Sequence, residues 1–238
     1  MLTKFESFMR QIGLWVGFVL AVAAIYGAGP FPFIEQGVRL GGAIGSAVII
    51  TLMLKPLANE FGGESPNRRM FFWVIDLIIL FGFLFTLLNF AEVYESLWDG
   101  VVILETPTLA IGFFGTMVII DMVRRNFGII LPIICILMLI YAQFGDLPGI
   151  FGHRGFTFEE VVEVSWFSFG GVFGRPTDIV SSIVLVFIVF GAFLEATGAT
   201  TILLKMATVA TARVRGGTAH SAIVASAMFG TISGSALA

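Results

Sequence analysis

Apolar residues run along this chain in long stretches separated by short polar or Gly/Pro-rich clusters. Six stretches, residues 11–29, 37–57, 70–90, 108–123, 127–144 and 179–198, each approach the ~20 residues that a helix needs to cross a bilayer. The clusters between them, such as Gly29-Pro30-Phe31-Pro32, residues 59–66 and the long stretch 145–177, carry turn-forming residues and read as connectors. After residue 198 the pattern changes. Residues 200–215 mix apolar residues with Thr and end in Arg213-Val214-Arg215, which predicts a helix lying at the membrane interface. Gly216-Gly217 follows, and residues 218–238 are mostly Ala, Ser, Gly and Thr, a composition suited to packing against protein rather than lipid. Gly230, Ser233, Gly234 and Ser235 fall where a full span needs apolar residues, so a helix break is predicted there, and freed backbone at that depth must be buried in protein or line a polar cavity. The pattern is that of a re-entrant hairpin tip. The sequence stops at Ala238, directly after it, and reads as the N-terminal portion of a longer protein whose returning arm is missing. The predicted fold is an all-α polytopic membrane protein with six transmembrane helices, an interfacial helix and the first arm of a re-entrant hairpin.

Composition agrees. Hydrophobic residues make up 58% and charged residues 12%, with mean hydropathy +1.00, so the surface cannot be that of a water-soluble domain. No basic patch points to nucleic acid. The lone Cys135 excludes an intrachain disulfide and a thiolate metal site, and no cofactor is expected. The first apolar stretch is too long for a signal-peptide core and reads as a retained span. With the N-terminus inside, ten of the thirteen Lys and Arg residues fall on cytoplasmic connections, leaving Arg39, Arg154 and Arg175 outside. The connection 91–107 is purely acidic, with Glu92, Glu95, Asp99 and Glu105, and reads as external. Stretch 145–177 is expected outside as short helices, either an ordinary amphipathic connector or a docking surface.

Candidate chemistry concentrates at the predicted break. Thr231, Ser233, Gly234 and Ser235 offer hydroxyls and accessible backbone at one turn, a set suited to a hard ion with oxygen ligands. Without further context Gly and Ser at this spacing equally describe close helix packing, which is the reading for Ser226. Ionisable residues inside spans are functional candidates because burying their charge in lipid is costly. Asp76 is the deepest; it lies near the cytoplasmic end of its span, not far from Arg68 and Arg69, and reads as half of an ion pair between the N-terminal spans and the region after them. Asp121 with Arg124 and Arg125 reads as an interface cluster, and Glu195 as snorkelling or pairing with Lys205. A hydrolase pairing of His220 with Ser233 fails on geometry, since thirteen positions along one helix separate them by ~20 Å.

Residues 147–238 resemble the large membrane subunit of TRAP transporters, in particular the fused, TAXI-TRAP-like type in which small and large membrane subunits form one polypeptide. The resemblance rests on Leu147-Pro148-Gly149, His153-Arg154-Gly155, Gly170-Gly171-Val172-Phe173-Gly174, Phe190 to Glu195 with Thr197-Gly198, Arg215-Gly216-Gly217-Thr218-Ala219, and above all Ala225 to Ala236. Arg124-Arg125-Asn126-Phe127-Gly128 fits more weakly. The family's second, inverted half is missing, and Thr218 stands where Pro is expected. The resemblance implies residues 1–106 as spans like those of the small subunit and 107–238 as the start of the large permease subunit. It also implies an importer of organic anions, carboxylates or dicarboxylates, coupled to an ion gradient, usually sodium, and fed by a periplasmic solute-binding protein. Thr231, Ser233, Gly234 and Ser235 would then hold the ion and border the substrate, with sodium at Ser233, Gly234 and Ser235. The protein would sit in a bacterial or archaeal cytoplasmic (inner) membrane. A membrane-embedded enzyme or assembly scaffold without a transport role is the alternative; a soluble catalytic domain following Ala238 would favour it.

Overall fold

A computed structural model describes residues 2–29, 35–63, 65–99, 105–145, 149, 152–212 and 216–233. The described residues form helices and no strands: α1 Leu2–Gly27, α2 Gln36–Leu54, α3 Leu57–Phe61, α4 Pro66–Asp99, α5 Thr106–Phe127, α6 Ile130–Gln143, α7 Phe158–Trp166, α8 Arg175–Ile179, α9 Leu185–Ala196, α10 Ala199–Thr211 and α11 Gly217–Ser233. A π-helical turn, Val180–Val184, joins α8 to α9 without a break. Five segments are long and apolar enough to cross a membrane: Lys4–Gly27, Gln36–Phe61, Pro66–Tyr94, Thr106–Phe127 and Arg175–Ala196.

Helices lie at all six expected segments, with two differences. The stretch 127–144 becomes the 14-residue α6, because Gly128 ends α5 at φ +80°. At 1.5 Å per residue α6 spans only ~21 Å, short of the ~30 Å hydrocarbon layer. Conversely α4 runs for 34 residues, ~51 Å, so the first part of the acidic connection 91–107 is a continuation of the helix rather than a loop.

By contacts the chain divides into two compact units, Met1–Leu20 with Phe33–Asp178, and Ala21–Pro32 with Ile179–Ala238. In the first, α2, α4, α5 and α7 surround an aromatic core in which Trp73, Phe83, Phe90, Trp166, Phe167 and Phe173 are almost fully buried. Phe173 stacks on Phe90 with centroids 3.5 Å apart, and Trp166 meets Phe83 edge-on. The end of α7 can reach α5 because Gly112 and Gly115 leave a smooth strip on it. A Cβ at Gly115 would lie 2.5 Å from the Trp166 ring, and one at Gly112 2.5 Å from Phe167. Stretch 145–177 therefore holds short helices, as expected, but it does not lie wholly on the surface: Glu159, Glu163 and Phe158 are exposed while Trp166 and Phe167 are core residues.

In the second unit α9, α10 and α11 pack against one another. Gly198, at φ +76°, reverses the chain into α10. Most other side chains of α9 face outward, as lipid-facing or partner-facing positions do.

Candidate functional site

The described part of the predicted site, Thr231 and Ser233, lies at the far end of a helical pair. α10 and α11 are joined by five residues and meet along a seam of small side chains, Ala207 and Thr211 from α10 and Ala225 from α11. Small residues at i and i+4 allow backbones to approach closely. The Thr211 hydroxyl donates to the Ala207 carbonyl at 2.9 Å, so the seam buries no unmet polar group. At its start α11 lies so tight on the end of α10 that a Cβ at Gly217 would sit 2.6 Å from the Thr211 carbonyl oxygen. The helix expected over 200–215 is α10, and it packs against α11.

α11 remains helical through Gly230, so the break expected from that residue onward does not begin there. One glycine costs a helix only ~1 kcal/mol. Thr231 and Ser233 occupy the last described turn of α11. Gly234 and Ser235 lie outside the described residues. The 17 described residues of α11 extend ~25 Å. A helix that breaks after this last described turn, as the sequence predicts, would leave carbonyl oxygens outside the intrahelical pattern and at the negative end of the dipole, a setting that favours cations. His220 stands near the opposite end of α11, so the geometry that separates it from Ser233 holds.

The ionisable residues singled out in the spans form one network in the first unit. The Arg125 guanidinium donates to Asp76 Oδ1 at 2.7 Å, with side chains 2% and 0% exposed. It donates further to Asp121 Oδ2 at 2.7 Å and to the Lys55 carbonyl at 3.2 Å. The second oxygen of Asp76 accepts the Leu57 backbone N–H at 2.8 Å, which ties α3 to α4. Arg124 bridges Asp121 Oδ1 at 2.9 Å and both oxygens of Glu60 at 2.6 and 2.7 Å. Asp76 is therefore paired, as expected, though with Arg125 rather than with Arg68 or Arg69. Arg69 instead holds Glu6. Among the described residues no ion pair joins Glu195 to Lys205; both side chains are exposed.

The π-helical turn was not foreseen. It interrupts an apolar run whose hydropathy is that of an ordinary span. Its sequence signal is Ser181-Ser182, hydroxyls that compete for backbone carbonyls inside a helix. Such turns recur at functional sites, and Ser181 is buried.

The family model for the tripartite ATP-independent periplasmic transporter, DctM component, matches residues 114–238, just over half of the chain. The chain belongs to this family. No curated protein and no solved structure matches it. The chain is thus a multi-pass membrane component of a TRAP-type secondary transporter. The DctM match opens inside α5 and takes in Asp121, Arg124 and Arg125, whereas Glu60 and Asp76 precede it. The buried Asp76–Arg125 pair is therefore a bond between the DctM part and the spans before it. The end of α11, with Thr231 and Ser233, falls within the DctM match.

Proposed function

We propose that this chain is the permease part of a TRAP-type transporter that imports organic anions, carboxylates or dicarboxylates, driven by a sodium gradient and supplied by a periplasmic solute-binding protein. Residues 1–106 serve as the small-subunit spans and residues 107–238 open the large permease subunit. The protein sits in the cytoplasmic (inner) membrane with its N-terminus inside, as the distribution of Lys and Arg favours. Thr231, Ser233, Gly234 and Ser235 line the ion site and border the substrate.

The observation that carries this reading is α11 within the DctM match: its last described turn holds Thr231 and Ser233, directly before Gly234 and Ser235, where the sequence predicts the helix to break. Carbonyls and hydroxyls at a helix C-terminal end suit sodium, which takes oxygen ligands, and the neutralised site can then accept a carboxylate. The full-length protein in proteoliposomes, with its binding protein and an imposed sodium gradient, should accumulate a carboxylate. Ser233→Ala, Ser235→Ala and Gly234→Val should each weaken sodium dependence more than they lower protein level. Uptake with unchanged sodium dependence in all three would remove the assignment of the site, and uptake indifferent to sodium in the parent protein would remove the coupling.

A further inference from the structure

We infer a binding site for an anionic phospholipid between the first turns of α1 and the α2–α3–α4 corner. A cavity of about 460 Å³ opens there, with Met53, Pro56 and Trp73 in its lining, all buried, and Ser7, Arg10 and Asn59 exposed at its rim. Two features of the cavity lack partners. The Trp73 side chain is 1% exposed, yet its indole Nε1–H has no acceptor among the described residues. Its ring is fixed edge-on to Phe5 of α1 at 5.3 Å, so the donor cannot swing out to water. A buried donor without a partner is destabilising, and an acceptor arriving with a ligand would relieve part of that cost. Arg10 is a free cation at the rim, with no carboxylate against it among the described residues.

The charge around the cavity selects an anion. Its one carboxylate, Glu6, is already held by Arg69 through Nε at 2.9 Å and Nη2 at 2.6 Å. At the same end of the bundle Glu60, Asp76 and Asp121 are each paired to Arg124 or Arg125. Lys4, Arg10, Lys55 and Arg68 are left without a carboxylate partner among the described residues. A basic recess at the end of transmembrane helices is where anionic lipid head groups bind.

Shape then favours a lipid over a free phosphate. One turn further along α1 from Arg10 lies a second, apolar recess lined by Gln11, Leu14, Trp15 and Phe18. Ser7, Arg10, Gln11, Leu14 and Phe18 follow one another at spacings of one to four, a single face of α1. Leu14 and Phe18 are 58% and 61% exposed. Head-group chemistry and an acyl-chain groove are thus continuous along one helix face, with the phosphate at Arg10 and Ser7 and an ester or glycerol oxygen accepting from Trp73.

The test is native mass spectrometry of the purified full-length protein in detergent, titrated with phosphatidylglycerol, with phosphatidylcholine of the same chains, and with inorganic phosphate. Phosphatidylglycerol should bind in preference to phosphatidylcholine. Arg10→Gln should weaken it about fivefold, the share of one cation at a membrane surface, and Arg10→Lys should restore most of that. Trp73→Phe, which keeps the ring and removes the donor, should weaken it about threefold. Leu14→Ser with Phe18→Ser should weaken it too. Equal binding of the two lipids, or wild-type titration in Arg10→Gln or Trp73→Phe, overturns the site. Protection from thermal unfolding by inorganic phosphate equal to that by phosphatidylglycerol overturns the lipid as its source.

Discussion

Asp76 and Arg125 form a pair in which neither side chain reaches solvent, and the consequences of removing each can be worked out from their remaining partners. Arg125→Met leaves the Asp76 carboxylate buried with the Leu57 N–H as its only hydrogen bond. Leaving such a charge uncompensated costs about 3–5 kcal/mol. Asp76→Asn is milder, because Arg125 keeps Asp121 and the Lys55 carbonyl; loss of one charge-assisted bond costs about 1.5–3 kcal/mol. Asp76→Leu combined with Arg125→Met removes both charges, and an apolar pair of similar volume is often neutral. What remains is the orphaned Leu57 N–H, about 1–3 kcal/mol. The double variant should therefore be more stable than Arg125→Met alone. The parent, Asp76→Leu, Arg125→Met and the double variant close a cycle and can be compared, beside Asp76→Asn, by reversible unfolding in mixed micelles, following the fluorescence of the buried Trp73 and Trp166. A double variant whose cost equals the sum of the singles to within ~0.5 kcal/mol would refute the reasoning, since independent sites add. A loss below about 1 kcal/mol in Arg125→Met would do the same.

Gly115→Val should destabilise the first unit by at least about 1–3 kcal/mol, because its Cβ would lie 2.5 Å from the Trp166 ring in a packed core; wild-type unfolding of the variant in the same micelles would contradict the contact. Thr157 caps α7 reciprocally with Glu160, and the Thr157 backbone N–H, aided by its hydroxyl and by Arg154, holds the Glu160 carboxyl below the usual glutamate range. A carboxylate whose folded value is lowered stabilises above its unfolded value and loses that contribution as pH falls through the lowered one. The protection of the α7 N-terminal amides, taken as exchange relative to the intrinsic rate at each pH, should accordingly fall below about pH 4.5, and Glu160→Gln should flatten that dependence; an identical profile in the variant would remove the cap as its cause. For topology, a thiol introduced by Glu159→Cys in a Cys135→Ser background should react with an impermeant reagent from outside, and reaction from the cytoplasm alone would reverse the proposed orientation.

Much of the architecture follows from the order of residues because a bilayer imposes one dominant rule. A backbone in hydrocarbon must satisfy its own hydrogen bonds, so runs of apolar residues near crossing length have to be helices. That rule locates α1, α2, α4, α5 and the α8–α9 segment, and the turn at Gly216-Gly217 follows from glycine's freedom. The expectation that Asp76 finds an Arg rested on the same physics, the cost of charge in lipid.

Partner choice and element ends are of another kind. Nothing local distinguishes Arg125 from Arg68 or Arg69 as the partner of Asp76; the packing of α5 against α4 decides it, forty-nine positions away in sequence. Trp166 and Phe167 sit in a stretch whose polarity suggests a surface connector, and they enter the core because Gly112 and Gly115, on a different helix, leave room. Helix α11 passes Gly230, since a single glycine carries only a small local penalty. The pocket beside Arg10 likewise exists only where three helices and a short turn converge. Local physics selects a helix residue by residue, but which side chains face each other across helices is set by the sum of contacts that only the assembled fold contains.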